Sequence, residues 1–343
     1  MMHRRDFIST TAALIATAED SHVSVSANET SGKQAVTVSG AIDVKKLGAT
    51  LPHEHVMVDF IGADKISRDS YEREQVFEVI LPRLQKAKQA GCQSVVECTP
   101  AYLGRDPILL KRLATASGLN LLTNTGYYGA GDGKFLPAHA FEEDADQLAA
   151  RWLNEWKNGI EDSGVRPGFI KIGVDSGPLS EVNQKLVRAA ARVHLQSGLT
   201  IACHTGDGAA AMQEMAILRH EGVDPSAWIW VHAQNDKDQN LHLRAAERGG
   251  WVEFDGISAD TIERHVELVQ NMKRHELLSR VLLSHDAGWY SVGEPEGGQF
   301  RSYSTLFEQF IPALQKVGFG SKEIDQLIVE NPANAFAINV RPR

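Results

Sequence analysis

Cysteine is scarce: Cys92, Cys98 and Cys203 are the only three in 343 residues, and each sits inside an apolar run. An odd number placed that way excludes a disulfide framework and reads as buried free thiols. Positive charge is also in deficit. The 35 Lys and Arg stand against 44 Asp and Glu, a net of −9, which argues against nucleic acid or an anionic membrane surface as partner and leaves a small neutral or electrophilic molecule. No apolar run is long enough to span a bilayer as a helix, and no solenoid repeat or Gly-x-Gly-x-x-Gly dinucleotide fingerprint follows the first strand.

What is present begins with an N-terminus unlike the rest. Arg4-Arg5 precedes a weakly apolar stretch at 9–18 that ends in small residues. It resembles a twin-arginine export signal. Residues 1–27 are then expected to be removed, leaving 28–343 as the working domain of an exported, periplasmic or secreted protein. Such a protein crosses the membrane already folded, which is consistent with a chain that uses no disulfides.

Past a polar stretch, runs at 35–38 and 41–44 around a Ser-Gly turn predict a small two-stranded N-terminal β piece. From there the chain alternates. Runs rich in Val, Ile, Leu and Thr fall at 51–56, 94–100, 121–128, 169–175, 199–205, 228–233, 251–257 and 280–286. Helical patterns lie between them. The spacing of Leu148, Trp152, Trp156 and Ile160, with acidic residues at 142–146, predicts a helix over 141–159; 187–195 and 209–220 are helical by content. Ser321 is a candidate cap for a helix carrying Ile324, Leu327 and Ile328, and Asn331-Pro332 can start another. Eight apolar strands separated by helices predict an α/β fold of the (β/α)8 or TIM-barrel type rather than an open doubly wound sheet, because polar residues end many strands instead of lining one crevice.

Those polar residues form a set. The stretch Leu51-Pro-His-Glu-His-Val puts His53 and His55 on one face of a strand. Later strands add Lys171, His204, His232 and Asp286, each in an otherwise apolar run. Buried imidazole and charged groups are costly unless paired or coordinated, and Lys171 is the most telling, since carbamylation by carbon dioxide would turn its amine into a carboxylate-like bridge between two metals. In order and position this set resembles the phosphotriesterase family of the amidohydrolase superfamily. Leu-Gly-Arg-Asp at 103–106, the 158–171 stretch and Asn-Pro-Ala at 331–333 extend the resemblance to about residues 36–340.

The resemblance implies a binuclear site, usually zinc, with His53, His55 and Asp286 on one divalent ion, His204 and His232 on the other, and carboxylated Lys171 and a hydroxide bridging both. It also implies a homodimer. Such a centre favours hydrolysis of lactones, carboxylic esters or phosphotriesters, with Asp286 able to take the proton of the attacking hydroxide.

Tyr128 matches a position where the family's lactonases keep tyrosine and its organophosphate-degrading members tryptophan, which leans towards a lactone or carboxylic ester; a phosphotriesterase or phosphodiesterase is the alternative. Gly256 stands where relatives carry histidine or arginine, and Asn235, followed by Asp236, where they carry an acidic relay. These departures keep a metal- and ligand-binding barrel without turnover as a further class. Trp289 and Tyr290, in a predicted long loop over 288–301, are candidate substrate contacts with Tyr128. Glu54, Cys203 and His285 should point away from the site, and His139, His194, His220, His242, His265 and His275 read as surface or capping groups.

Overall fold

The structure, a computed structural model, describes residues Gly32–Arg343; the proposed leader lies outside them. It opens with the antiparallel pair β1 (Gln34–Thr37) and β2 (Gly40–Asp43). Eight strand positions of parallel sheet follow: β3 (Thr50–Val58), β4 (Ser94–Glu97), β5 (Asn120–Leu122) continued as β6 (Asn124–Thr125), β7 (Phe169–Val174), β8 (Ile201–Thr205), β9 (Trp228–Val231), β10 (Trp251–Phe254) and β11 (Val281–Leu283). Neighbours pair in chain order. First and last meet at a seam where Asp286 N donates to His53 O at 3.1 Å and His55 N to Ala287 O at 2.9 Å. This is the (β/α)8 barrel that the alternation predicts, with the β piece attached through Val38 N to Leu121 O.

Strand parity decides what faces inward. Val96, Leu122, Phe169, Ala202, Ile229, Val231 and Leu282 pack together inside the barrel with Ala35, Leu47 and Phe336 below them. Their neighbours, among them Val95, Ile170, Ile172, Cys203, Trp228, Trp230 and Leu283, pack outward against the helices. Because side chains alternate along a strand, Lys171 follows the inward face of Phe169 and His204 that of Ala202. The reading of Cys203 as outward-facing agrees with this.

The helices are α1 (Arg73–Gln89), α2 (Pro107–Ser117), α3 (Ala138–Glu142), α4 (Ala145–Asn158), α5 (Glu181–Ser197), α6 (Gly208–His220), α7 (Gln239–Glu247) and α8 (Ile262–Arg274), with α9 (Ile311–Lys316), α10 (Ser321–Asp325) and α11 (Asn331–Ala335) after the last barrel strand. Local chemistry sets their starts: Asp106, Asp144, Ser180, Asp207 and Asp238 accept from first-turn amides. Among the described residues no helix is long and apolar enough to cross a membrane.

Three expectations are corrected. The helix over 141–159 is two, because Asp144 takes extended backbone and closes a capping box with Gln147. Ser321 is the first helical residue and Gly320 the cap; the Glu323 carboxylate accepts from Gly320 N at 2.9 Å. The 288–301 segment begins with a further strand, β12 (Gly288–Ser291), parallel to β3.

Candidate metal centre

His53 and His55 leave β3 towards the barrel axis, and each imidazole is tied by its Nδ1. Thr99 Oγ1 gives its hydrogen to Met57 O at 3.0 Å, so it accepts from His55 Nδ1 at 2.8 Å. His53 Nδ1 lies 2.9 Å from Glu253 Oε1 and 3.3 Å from Asp255 Oδ2; His232 Nδ1 donates to Asp255 Oδ1 at 2.7 Å. A hydrogen held on Nδ1 leaves the Nε2 lone pair free, the arrangement metal-binding histidines use. The rings converge: His53 to His55 at 5.3 Å, His53 to His232 at 5.0 Å, His232 to His204 at 4.5 Å between centroids.

Asp286 closes the set from the loop after β11. Its Oδ1 is buried without a hydrogen-bond partner, 3.2 Å from His55 Nε2 and 3.8 Å from His53 Nε2. Lys171, 2% exposed in the middle of β7, makes no hydrogen bond or ion pair among the described residues, nor does the His204 ring. Backbone strain gathers here too. His232, Asp286 and Trp289 all have φ between +52° and +65°, a conformation that costs non-glycine residues on the order of 1–3 kcal/mol each and clusters at functional sites.

The electrostatics suit cation binding. Burial, then the Lys171 charge, pushes His53 down to about 3, and burial with His232 and Lys171 holds His204 well below its usual value, so both are neutral ligands in waiting. Burial would raise Asp286, yet His55 and His53 beside it keep the carboxyl below its usual range. Of the buried pair under His53, burial and Asp255 push Glu253 up, whereas against its own burial Asp255 is held down, chiefly by His232. Asp255 is therefore the anion and Glu253 the neutral partner.

Two groups can hold a cation by proximity: His53, His55 and Asp286, and His53, His232 and Asp255. In the second, Asp255 already receives both Nδ1 hydrogens, so it orients the rings rather than facing a cation with them. The first group, with the unpartnered His204 and Lys171 opposite, offers an orphaned carboxylate oxygen and free imidazole nitrogens in one small space. These residues fit a divalent metal.

All six sequence-predicted ligand candidates line a cavity of about 80 Å³ with Tyr128, Trp289, Phe60, Cys98, Pro100 and Leu103. Tyr128 stacks near His204 at 4.9 Å and Trp289 near His55 at 5.2 Å. Tyr290 is not there. Successive residues of β12 face opposite ways, so Trp289 roofs the cavity and Tyr290 packs into the outer core, 4% exposed. A larger cavity, about 270 Å³, lies across the 100–105 segment but contains no imidazole; the chemistry belongs to the smaller one.

Asp236 accepts from Gly208 N at 2.6 Å and Asp238 N at 2.7 Å, and neither it nor Asn235 lines the cavity. Gly256 has φ +73°, where a side chain would be strained and would approach Gln234 Nε2 at 3.5 Å. Glu54 and His285 behave as expected: Glu54 is buried between β3 and the last strand, accepting from Ser284 Oγ, His285 N, His285 Nδ1 and Ala287 N. His194, His242 and His265 are corrected from surface to buried; each bonds a backbone carbonyl or amide outside its own helix. Sequence reasoning missed Thr99, Glu253, Asp255 and Cys98; the alternation Glu253–Asp255 on β10 was the available signal.

Against known families, residues 33–336 match the model of the phosphotriesterase family. The chain belongs to that family. Its phosphotriesterase-family relatives include the phosphotriesterase homology protein of Escherichia coli K12, 29% identical over 84% of this chain and 98% of the relative. The aryldialkylphosphatase of Saccharolobus solfataricus is 25% identical over 87% of this chain and 97% of its own length, and the human N-acetyltaurine hydrolase 25% identical over 86% and 95%. Fold, family and the candidate His/Asp group together make this phosphotriesterase-family chain a metal-dependent hydrolase.

Proposed function

We propose that the protein hydrolyses a lactone or carboxylic ester at a binuclear centre held by His53, His55 and Asp286 on one side, His204 and His232 on the other, with carboxylated Lys171 between them. The observation that carries this reading is the buried, unpartnered Asp286 Oδ1 facing free imidazole nitrogens. Divalent ions bound there, zinc by the donor set, would supply hydroxide at neutral pH and polarise the substrate's C=O or P=O. Asp286, kept ionised by its histidine neighbours, would take the proton of the attacking hydroxide. Asp255, Glu253 and Thr99 hold the imidazoles in the tautomer that leaves Nε2 free. Tyr128 and Trp289 supply apolar wall and exclude water; Tyr128 favours the lactone class. The aryldialkylphosphatase relative supports a phosphotriester as second reading.

The test is metal content of protein purified with bicarbonate, then assays on the same sample against lactones, a carboxylic ester, a paraoxon-type triester and an N-acyl amide. About two ions per chain with chelator-sensitive lactone hydrolysis is expected. Asp286→Asn should keep the fold and lose about 10²–10⁴-fold in kcat; substoichiometric metal with unmodified Lys171 would remove the proposal. Export of the protein through the Arg4-Arg5 leader belongs to the same proposal, and cell fractionation with N-terminal sequencing tests it.

A further inference from the structure

The opposite mouth of the barrel, at the N-terminal ends of its strands, has a chemistry of its own. A cavity of about 340 Å³ opens there, lined by Lys33, Arg280 and Arg341 and by Ser226, Ser279 and Asn339. No carboxylate lines it. In a chain of net charge −9 the gathering of three cations cannot be ascribed to general basicity.

Arg341 is anchored but not neutralised. Its guanidinium donates to Thr200 Oγ1 at 3.0 Å, Ala337 O at 2.9 Å and Asn334 O at 3.3 Å, all uncharged acceptors, and its Nε–H has no partner among the described residues. The Arg280 guanidinium lies over the Trp251 ring at 5.1 Å from its centroid and makes no hydrogen bond or ion pair among the described residues. Neither does the Lys33 ammonium. Burial, followed by the Arg280 charge, brings Arg341 down to about 10; Asp224 pulls the other way. The Asp224 carboxylate is occupied by Ser226 N at 2.9 Å and forms no ion pair with either guanidinium. Like charges held together on rigid supports, with donors left over, are disfavoured unless an anion joins them. A planar guanidinium fork matches tetrahedral oxyanions bidentately, and one pinned by its other N–H groups loses little entropy on binding.

We propose that this basal cavity is an oxyanion site, taking phosphate or sulfate either as the free ion or as the terminal group of a small molecule. It is separate from the metal centre, being at the other end of the strands. A purely structural role, sealing the C-terminal tail onto the barrel, accounts among the three cations for Arg341 alone. The Arg280 guanidinium, over the Trp251 ring with no hydrogen-bond partner among the described residues, has no part in that seal.

The experiment uses the full metal-loaded protein. Sulfate, inorganic phosphate and phenyl phosphate are titrated calorimetrically in a background of chloride at constant ionic strength, against wild type, Arg280→Gln, Lys33→Gln and Arg341→Lys. Hydrolase activity is followed in parallel to register any anion binding at the metal centre. Saturable binding is expected in wild type, weakened by about tenfold or more in Arg280→Gln, the loss of one charged hydrogen bond, with kcat and KM of the hydrolase unchanged. Tighter binding of phenyl phosphate assigns the ligand to a terminal group, and equal binding to the free ion. A wild-type response no different from chloride overturns the proposal, and so does undiminished binding in Arg280→Gln. Arg341→Lys keeps a cation to seal the tail, so its loss of binding with unchanged melting temperature further supports the site, and a loss of melting temperature without loss of binding speaks against it.

Discussion

Asp255 concentrates more of the site's geometry than any of the ligand candidates. Its two oxygens receive His232 Nδ1, His232 N, His53 Nδ1 and Gln234 Nε2. Asp255→Asn should leave a folded protein whose metal affinity falls by about 10–100-fold, as measured by competition with a chelating dye; unchanged affinity would mean that the rings are held by packing alone. Glu214 tests a different charge, remote from the cavity. Trp228 Nε1 donates to its Oε2 at 2.7 Å, and the Thr205 hydroxyl, within reach of both Cys203 O and this carboxyl, lies 2.9 Å from its Oε1. Burial raises this carboxyl from 4.5 to about 7. The folded state thus binds a proton that the unfolded chain has released, and the associated stability is complete below about pH 4.5 and is lost as pH rises through 7, on the order of 3 kcal/mol in all. Urea unfolding of wild type and Glu214→Gln across that window should show the variant gaining relative stability as pH rises, whereas parallel profiles would contradict the assignment.

Elements show why some of this was legible and some not. His53, His55, Lys171, His204, His232 and Asp286 stand out because each interrupts an apolar run at the parity that faces the barrel axis, a signal carried within a few residues of chain. Asp255 sits in a similar run, but what gives it meaning is imidazole nitrogen from β3 and from the turn after β9, 202 and 23 positions away. His194, His242 and His265 are hidden too: their helical surroundings look solvated until the fold brings against them the backbone groups they bond, Arg341 N 147 positions away for His194 and, for the other two, carbonyls only 9 and 10 positions back but outside their helices. Tyr290 was misplaced because a strand, not an irregular loop, follows Asp286, and a strand sends adjacent aromatics to opposite sides. In α4 the periodicity was plain and the start was not: the acidic run spans two helices, and only the Asp144–Gln147 box marks the break. Asp144→Ala should therefore cost about 1 kcal/mol, and Trp152→Ala, at the centre of the buried face and 1% exposed, about 3–5 kcal/mol; chemical denaturation of both separates cap from core.

At the scale of the whole molecule, the candidate ligands come from β3, β7, β8, the turn after β9 and the loop after β11, so a cation bound among them ties distant parts of the barrel together. Removing it should lower the melting temperature reversibly, by the equivalent of about 2.7 kcal/mol when the ion had been present at a hundred times its dissociation constant. Differential scanning calorimetry with and without chelator measures this, and equal melting temperatures would show the centre to be energetically silent. The seam between the opening and closing strands adds a matter of timing. His53 N is bonded to Ser284 Oγ across 231 positions of chain, and Asp286 follows two residues later. A nascent polypeptide leaving the ribosome carries five of the six ligand candidates long before the sixth exists, and lacks the strand that shuts the barrel over them. The six candidates can therefore come together only after translation has passed the last strand, and a product terminated before it lacks Asp286 and the closing seam alike.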